Sequence, residues 1–314
     1  MKHYITVDGG TTNTRVNLVE NEKITATQKI TRGARAGIDD RDGLKSELKI
    51  AISSILEENR LSEKDVIKIL ASGMITSEFG LYELPHLQAP VGIKELHDSV
   101  QEVAFPEISS IPFVFIRGIK CDSDSIGEFD MMRGEETELY GLTCTPPTNA
   151  LYVLPGSHSK LIELDAHGRI AHFCTLMTGE MIAALAGGTI LRDAVDLSVK
   201  EFDCDELLLG CRYSMEKGIS EALFKVRIMK NQFGRTARAT YSFFLGAVLA
   251  PEIQAILASR ARLTVIGGKA QLKHATAHLL HCLSNKEISV IEDSAVDASS
   301  ALGAIRIFEF QRFE

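Results

Sequence analysis

A glycine turn near the start of the chain carries several groups that bind small anions. In the stretch "VDGGTTNTRVNLVE", the residues of this first turn are Asp8, Gly9, Gly10, Thr11, Thr12 and Asn13. Hydroxyls, a side-chain amide and glycine N–H groups are typical ligands of phosphate. The carboxylate of Asp8 would repel a phosphate directly, so we expect it to hold hydrated Mg²⁺ that bridges phosphate oxygens.

Two later glycine turns have related chemistry. In "VLPGSHSKLIELD", the residues predicted to face phosphate are Gly156, Ser157, His158, Ser159 and Lys160. In "LTVIGGKAQ", Gly267 and Gly268 join an apolar strand to a helix, where the backbone approaches a ligand closely. The turns lack the GxxxxGK[ST] spacing of a P-loop and the GxGxxG spacing of a Rossmann nucleotide-binding loop. The remaining way to hold a nucleoside triphosphate is to bind its phosphates with the first two turns and its base with the third.

The patterns around these turns indicate a mixed α/β fold. Apolar residues alternate on both sides of the first turn, and residues 23–30 continue as a third antiparallel strand. Residues 43–60 have leucine and isoleucine at helical spacing, and residues 66–72 and 111–118 are short apolar runs typical of buried strands. From residue 150 onward the order of strand, glycine turn and strand recurs, which indicates two duplicated halves.

Composition and charge exclude several classes of protein. The chain has 314 residues, enough for two domains, and a formal net charge of −8 that argues against nucleic-acid binding. Its six cysteines form no CxxC pair and no leader pattern precedes the first strand, so we expect reduced thiols and a cytoplasmic location. The apolar residues 243–258 are too short for a membrane span and predict a buried helix.

The order of the turns resembles a known superfamily. "DGGTTNTR", "GSHSK" and "IGGKAQ" look like the two phosphate loops and the adenosine loop of the sugar kinase, hexokinase, actin and Hsp70 superfamily. "CDSDSIGEFDMMRGEETELYGL", "LPGSHSKLIEL" and "TLMTGE" are similar to the 2-keto-3-deoxygalactonate kinase family, and the resemblance covers nearly the whole chain. It implies phosphorylation of the terminal (C6) hydroxyl of 2-keto-3-deoxygalactonate, with ATP and Mg²⁺, in galactonate breakdown.

Phosphorylation of a hydroxyl requires a positioned base. In related carbohydrate kinases an aspartate starts a helix in a pattern that resembles "GDQQAALFG", and "GEETELYG" at 134–141 has Glu135 in that place. Glu135 is therefore the candidate base, while Asp122, Asp124 and Asp130 just upstream are alternatives. In the superfamily an acidic or amide residue usually precedes the second glycine turn, but here Pro155 does, so no metal contact is expected from that turn.

Substrates of this type carry a carboxylate, which arginine binds with two parallel hydrogen bonds. Arg32, Arg35, Arg117 and Arg133 lie in predicted loops. We expect Arg32, Arg35 and Arg133 to bind substrate, and Arg133 is favoured because it lies next to the candidate base.

Two further groups of residues are left open. Glu180 in "MTGE" begins a helix and is either a capping acid or a sugar ligand. His274, His278 and His281 share one helix face, as metal ligands do, but no matching carboxylate or cysteine pattern accompanies them. A helix face near the adenosine turn is the favoured interpretation.

The sequence thus predicts an α/β protein of two duplicated actin-like, ribonuclease H-like lobes with mixed sheets and a nucleotide cleft between them. Residues 1–142 form the lobe for the sugar acid and the first phosphate loop, and the C-terminal helix, 297–314, packs back on it. Residues 143–296 form the second lobe. Partners are a small sugar acid, with no nucleic acid or membrane and with a possible homo-oligomer. The alternatives are a kinase of another sugar or sugar acid, or an actin-like regulatory ATP-binding protein.

Overall fold

The computed structural model describes residues 2–33, 40–143, 146–268 and 270–310, which group into two compact units. The first unit runs to Thr148 and continues with Asp165–His172 and the chain from Ser294 onward. The second unit comprises Asn149–Leu164 and Phe173–Asp293.

In the part of the chain that the structure describes, most strands lie before residue 177 and four successive helices lie between residues 178 and 258. The strands are β1 (His3–Gly9), β2 (Thr14–Glu20), β3 (Lys23–Ile30), β4 (Val66–Gly73), β5 (Leu87–Gln88), β6 (Gln101–Val103), β7 (Phe113–Phe115), β8 (Ile119–Cys121), β9 (Asp130–Met132), β10 (Ala150–Leu154), β11 (Ser159–Leu164), β12 (Ile170–Leu176), β13 (Leu263–Ile266) and β14 (Glu287–Val290). The helices are α1 (Arg41–Glu58), α2 (Ile93–Asp98), α3 (Glu135–Leu142), α4 (Thr178–Gly188), α5 (Cys204–Lys217), α6 (Ile219–Asn231), α7 (Ala237–Ala258), α8 (Ala270–Leu283) and α9 (Asp293–Phe308).

The main sheet of the first unit positions the first glycine turn at a strand end. Its strand order is β3-β2-β1-β4-β7-β6, with β1 antiparallel to β2 and parallel to β4. Because side chains alternate along strands, Val7 and its cross-strand partner Val16 face the same side, where they join Leu44 and Leu48 of α1 in the core. The predicted run of three antiparallel strands followed by a helix is therefore present.

The second unit repeats this strand pattern. Its sheet has the order β12-β11-β10-β13-β14, in which β10 is antiparallel to β11 and parallel to β13, and β13 is parallel to β14. The order matches β3-β2-β1-β4-β7 of the first unit strand for strand. The duplication predicted from two similar hairpins is confirmed by this topology.

Helix α7 forms the centre of the second unit. It crosses α5 so closely that a Cβ on Gly246 would lie 1.9 Å from the Leu207 carbonyl oxygen, and one on Gly210 would lie 2.0 Å from the Phe243 oxygen. Residues 237–258 are long and apolar enough to cross a membrane, but most of that stretch is buried inside the protein. The predicted buried helix is present, and it has a Pro251 in its interior.

Helices α3 and α9 of the first unit meet through two glycines. A Cβ on Gly141 would lie 1.7 Å from the Ser299 oxygen, and one on Gly303 would lie 1.8 Å from the Thr137 oxygen. Arg306 Nη1 donates to the carbonyl oxygens of Tyr140 (3.0 Å) and Gly141 (2.7 Å). The last helix is thereby held against the helix that begins at Glu135.

One segment differs from the predicted division into lobes. Asp165–His172 lies within the predicted second lobe, 143–296, but the structure groups it with the first unit. The reason is an isolated antiparallel bridge, in which the amides of Val91 and Ile170 donate to each other's carbonyl oxygens at 2.9 and 2.8 Å.

Replacing Gly303 with alanine should destabilise the protein by about 1–3 kcal/mol, because the new methyl group meets the backbone of α3 rather than a movable side chain. Gly187→Ala is the matched control. That glycine also lies in a helix, nothing surrounds its Cβ position within 4 Å, and alanine there should stabilise by about 0.5–1 kcal/mol. Thermal or urea unfolding of both variants measures the difference, and equal stabilities would contradict the close packing of α3 and α9.

Candidate functional site

The first glycine turn is packed so tightly that only glycine fits at its start. A Cβ on Gly9 would lie 2.7 Å from the backbone nitrogen of Ile75, and the Gly10 amide donates to the Asn13 carbonyl oxygen at 2.8 Å. Thr11 and Thr12 are exposed at the tip, and Asn13 Nδ2 donates to Thr12 Oγ1 at 3.0 Å. The turn therefore presents hydroxyl groups on a rigid backbone.

Asp8 lies at the base of this turn among charged and polar neighbours. The sheet register places it opposite Arg15 of β2 and beside Ser72 of β4. Burial raises the pKa of Asp8 and the negative charge of Glu135 adds to the rise, whereas Arg15 and a hydrogen bond with Ser300 oppose it. Asp8 is thus linked to β2, to α9 and to the start of α3.

Close backbone contacts bring the start of α3 to the end of β1. Gly73 has a φ of +78°, and a Cβ on it would lie 2.6 Å from the Gly9 carbonyl oxygen. Gly134, the residue before α3, has a φ of +115°, and its Cβ position is 3.2 Å from the Gly73 Cα. These positive φ angles favour glycine, and the absent side chains let the three segments approach.

The first turn of α3 adds three carboxyl groups. Glu135 Oε2 accepts the Arg133 amide at 3.0 Å, and both oxygens of the buried Glu136 accept the Gly134 amide at 2.9 Å. Burial, with a contribution from Glu135, raises the pKa of Glu136 to about 8. Glu136 therefore caps the helix start from the protein interior.

Glu138 belongs to the same acidic group as Asp8 and Glu135. Burial raises the pKa of Glu138 to about 8, and the charges of Glu135 and Asp8 contribute to the rise, while Arg15 opposes it. Mutual repulsion among carboxylates of this kind is relieved by a proton or a cation. Among the described residues no group of three or more His, Cys, Asp and Glu side chains is arranged as a complete metal site. A cation bound here would need oxygen ligands from water or phosphate as well.

The alternatives to Glu135 lie in different surroundings. Asp122 and Asp124 are exposed in the connection between β8 and β9, and Asp122 Oδ2 accepts Lys120 Nζ at 2.5 Å. Asp130 is on β9, where its side chain accepts the Met131 amide at 2.6 Å. Of the four acids weighed from the sequence, it is Glu135 whose charge acts on Asp8.

The guanidinium group of Arg133 is hydrogen-bonded to other groups of the protein. Nη1 donates to the carbonyl and the hydroxyl oxygen of Thr76, both at 2.7 Å. Nη2 donates to the Leu84 carbonyl oxygen at 3.0 Å and contacts His86 Nδ1 at 3.3 Å. Burial lowers the pKa of His86 to about 4, with Arg133 contributing, so the neutral ring accepts this hydrogen bond. Arg133 therefore supports the segment from Thr76 to His86.

The other arginines considered from the sequence are also engaged. Arg32 Nε donates to Glu47 Oε1 at 3.0 Å and its Nη1 donates to Asp40 Oδ2 at 2.7 Å. Arg117 donates to backbone carbonyl oxygens of Ser99 and Pro85. Arg35 lies outside the described residues.

The second glycine turn lies in the second unit between β10 and β11. The Gly156 amide donates to Ser159 Oγ at 3.4 Å, and Ser157 and His158 are exposed. Lys160 differs from the expectation that it faces phosphate, because it is buried and its Nζ donates to Thr175 Oγ1 on β12 at 2.5 Å.

Two other segments pack against this turn. The Glu180 amide donates to the Ser157 carbonyl oxygen at 3.1 Å, and Glu180 Oε1 lies 3.1 Å from His158 Nε2. A Cβ on Gly179 would lie 2.3 Å from the Gly156 oxygen. The structure thus places Glu180, whose role the sequence left open, beside the second turn.

The predicted adenosine turn, with Gly267 and Gly268, also packs against the second glycine turn. The Gly267 amide donates to the Val153 carbonyl oxygen at 2.9 Å. Gly268 has a φ of +73°, and a Cβ on it would lie 2.4 Å from the Pro155 oxygen. Pro155 therefore lies at the contact between the two turns.

The histidines of α8 do not form a metal site among the described residues. His274 and His281 are exposed, and His278 lies beside the Phe202 ring with its Nε2 at 3.6 Å from Cys282 Sγ.

Two residues linked to Asp8 are not predicted from the sequence. Glu138 lies three positions after Glu135, on the same face of α3, and this spacing is a usable signal. Ser300 on α9 is far from the first turn in sequence, and no local pattern marks it.

The chain has recognisable relatives. The family described as 2-keto-3-deoxy-galactonokinase matches residues 8–301. The 2-dehydro-3-deoxygalactonokinase of Escherichia coli strain K12 is 27% identical over 247 residues, which are 78% of this chain and 77% of the relative. A crystal structure from Sinorhizobium meliloti, described as a candidate 2-dehydro-3-deoxygalactonokinase, has a TM-score of 0.77 at 22% identity and covers 96% of both chains.

A more distant solved structure has the same fold. The activator of 2-hydroxyisocaproyl-CoA dehydratase from Clostridium difficile, solved with bound ADPNP, has a TM-score of 0.50 at 13% identity. The match covers 99% of this chain and 98% of that one. The expected actin-like fold class is confirmed by such neighbours.

Glu138→Gln should stabilise the protein near pH 8. The unfolded glutamate ionises near pH 4.5, whereas the folded group stays protonated until about pH 8, so wild-type stability falls between these values. Glutamine removes this loss, and because one pKa unit corresponds to about 1.4 kcal/mol, we expect a gain of about 1 kcal/mol or more at pH 8. Urea unfolding at pH 5 and pH 8 measures it. The exposed Glu57→Gln is the control, and a gain that is equal at both pH values would contradict the raised pKa.

Proposed function

The chain belongs to the 2-keto-3-deoxy-galactonokinase family, and on that premise we propose that it transfers the terminal phosphoryl group of ATP to the C6 hydroxyl of 2-keto-3-deoxygalactonate. The observation that carries the substrate is the family match over residues 8–301, together with the name of the Escherichia coli relative. The enzyme is then a phosphotransferase with an alcohol acceptor. A cytoplasmic location is part of the proposal.

The residues around Asp8 fit a magnesium ion that is shared with the phosphates. Burial raises the pKa values of Asp8 and Glu138, and the charges of neighbouring carboxyl groups add to the rise, so that a cation bound here would stabilise the ionised forms. Mg²⁺ keeps several water ligands and is usually bound through one or two carboxylates plus substrate phosphates. When bound, the ion neutralises charge on the phosphates. Asp8 is the residue proposed to hold it.

The glycine turns are proposed to hold the nucleotide by backbone and hydroxyl donors. In the first turn the exposed Thr11 and Thr12 hydroxyls and the half-buried Asn13 amide are proposed to donate to phosphate oxygens, while Gly9 and Gly10 let the turn approach them and the Gly10 amide stays bonded to the Asn13 carbonyl oxygen. In the second turn the exposed Ser157 and His158 are proposed to donate, Gly156 and the buried Ser159 shape the turn, and Lys160 supports the sheet beneath. Gly267 and Gly268 leave space for adenosine. Fixed donors of this kind stabilise the charge of the transferred group without reorganising.

Glu135 is proposed as the base that accepts the proton of the substrate hydroxyl. It starts α3, and its charge acts on Asp8, which indicates that the base and the proposed metal ligand lie within electrostatic reach. A base placed so contributes about 10²–10⁴-fold to the rate of proton transfer steps. Asp122 and Asp124 remain the alternatives, although Asp122 is paired with Lys120.

The arginines have different parts in the proposal. Arg133 holds the segment from Thr76 to His86 through its guanidinium, and Arg32 is shared by Asp40 and Glu47. Substrate binding by either one requires the exchange of these bonds for the bonds to a substrate carboxylate. Arg35, which lies outside the described residues, is proposed for that role.

The acceptor is tested by measuring ADP release with Mg-ATP and a panel of possible substrates. We expect strong turnover with 2-keto-3-deoxygalactonate and much weaker turnover with 2-keto-3-deoxygluconate, galactonate, galactose and glycerol. Preference for a neutral sugar would overturn the assignment of the acceptor. ATP binding without turnover of any acceptor would favour the regulatory alternative.

The base is tested by removing single carboxylates. Glu135→Gln should lower kcat by about 10²–10⁴-fold with little change in the affinity for ATP, because only proton transfer is lost. Asp122→Asn and Asp124→Asn are the controls on the exposed connection, and they should retain most of the activity. Full turnover in Glu135→Gln, or its loss in one of the controls, would move the role to another acid.

A further inference from the structure

A buried carboxyl group lies beneath the second glycine turn. Glu252 of α7 is 1% exposed, and its Oε2 accepts the hydroxyl of Thr178 at 2.6 Å. Ser159, at the end of the turn, forms a second side-chain hydrogen bond with this carboxyl group. Oε1 of Glu252 is buried and has no hydrogen-bond partner among the described residues.

From these contacts we infer that Glu252 is a positioning residue for nucleotide binding, which holds the second glycine turn and the start of α4 in one arrangement. The inference rests on the proposed function, since it assigns the second turn to the phosphates of ATP. It adds a residue that lies outside the turns and contacts no ligand itself.

The two hydroxyls bound by Glu252 belong to the two segments that form the turn. Ser159 Oγ accepts the Gly156 amide, so it closes the turn from its far end. Thr178 is the first residue of α4, and the next two residues, Gly179 and Glu180, contact the backbone of Gly156 and Ser157. One carboxyl group therefore fixes both sides of the surface that is proposed to meet phosphate.

The burial of Glu252 affects its charge. Burial raises the pKa of Glu252, against the hydrogen bonds from Thr178 and Ser159, because a carboxylate without water is costly. The rise favours the protonated form, which donates one hydrogen bond as well as accepting others and places no negative charge behind the proposed phosphate site.

Removal of the side chain should loosen the turn and leave the rest of the unit in place. Glu252→Ala deletes both hydrogen bonds and leaves a cavity, whereas Glu252→Gln keeps the shape, one acceptor and a donor. Thr178→Val breaks only the bond to α4. The matched control is Thr276→Val, which removes a buried hydroxyl on α8 that has no partner among the described residues.

The experiment measures the dissociation constant of Mg-ATP by calorimetry, without an acceptor, and the KM values for ATP and for the sugar acid. In Glu252→Ala we expect about tenfold weaker ATP binding, as loss of about 1.4 kcal/mol of hydrogen bonding implies, and an unchanged KM for the sugar acid. Glu252→Gln should bind ATP nearly as the wild type does. Thr178→Val should weaken ATP binding more than Thr276→Val.

Each other outcome overturns the inference. Folded Glu252→Ala with wild-type affinity for ATP would show that the residue is only structural, and equal losses in Glu252→Gln and Glu252→Ala would show that the negative charge is required. If Glu252→Ala does not fold, equal affinities in Thr178→Val and Thr276→Val decide against it. Failure of the proposed function is separate, because it would appear as a wild type that phosphorylates no acceptor while the calorimetric comparison still applies.

Discussion

Close approach of backbone to backbone is the constraint on which both glycine turns depend. In the first unit, Gly9, Gly73 and Gly134 let the ends of β1 and β4 and the start of α3 meet without side chains between them. In the second unit, Gly179 packs in the same way against the backbone of Gly156, and Gly268 packs against that of Pro155. Because main-chain atoms cannot move aside as side-chain ends do, a Cβ at Gly9, Gly73, Gly179 or Gly268 would require an entire segment to shift. The turns are rigid for that reason, and rigid donors are what a phosphate site requires.

The charges of the first unit follow from that packing. Once the start of α3 lies beside β1, the charge of Glu135 acts on Asp8, the charges of Glu135 and Asp8 act on Glu138, and Arg15 opposes the rise in pKa of both Asp8 and Glu138. An arrangement that raises pKa values in this way costs stability, and functional sites commonly carry such costs. In the second unit burial likewise raises the pKa of Glu252, but its side-chain partners are hydroxyl groups rather than charged residues.

The sequence predicted those parts of the fold whose signals are local. Alternating apolar residues around "DGGTTN" and "PGSHS" located both hairpins, and the apolar run before Gly267 located β13. It did not locate contacts that depend on distant segments. Lys160 was expected at phosphate, but its partner Thr175 lies fifteen residues on in the neighbouring strand, and strand pairing decided its direction. Arg133 has its partners at Thr76, Leu84 and His86, which no spacing around residue 133 indicates. The start of α3 at Glu135 was predicted because "GEETELYG" is a recognisable pattern, and the role of Glu135 as the base stays a prediction.

Helix α9 belongs mostly to the first unit, although it follows the second unit in the sequence. The first unit contains both β1 and α9, so part of it leaves the ribosome before the second unit and part of it afterwards. Domains generally fold as units during synthesis. Here the second unit, encoded in the middle, is complete while the first still lacks the helix that brings Ser300 to Asp8 and Gly303 to Thr137. A nascent chain therefore holds Asp8 without Ser300 until α9 has been synthesised, and the group around Asp8 is assembled only after the second unit has left the ribosome.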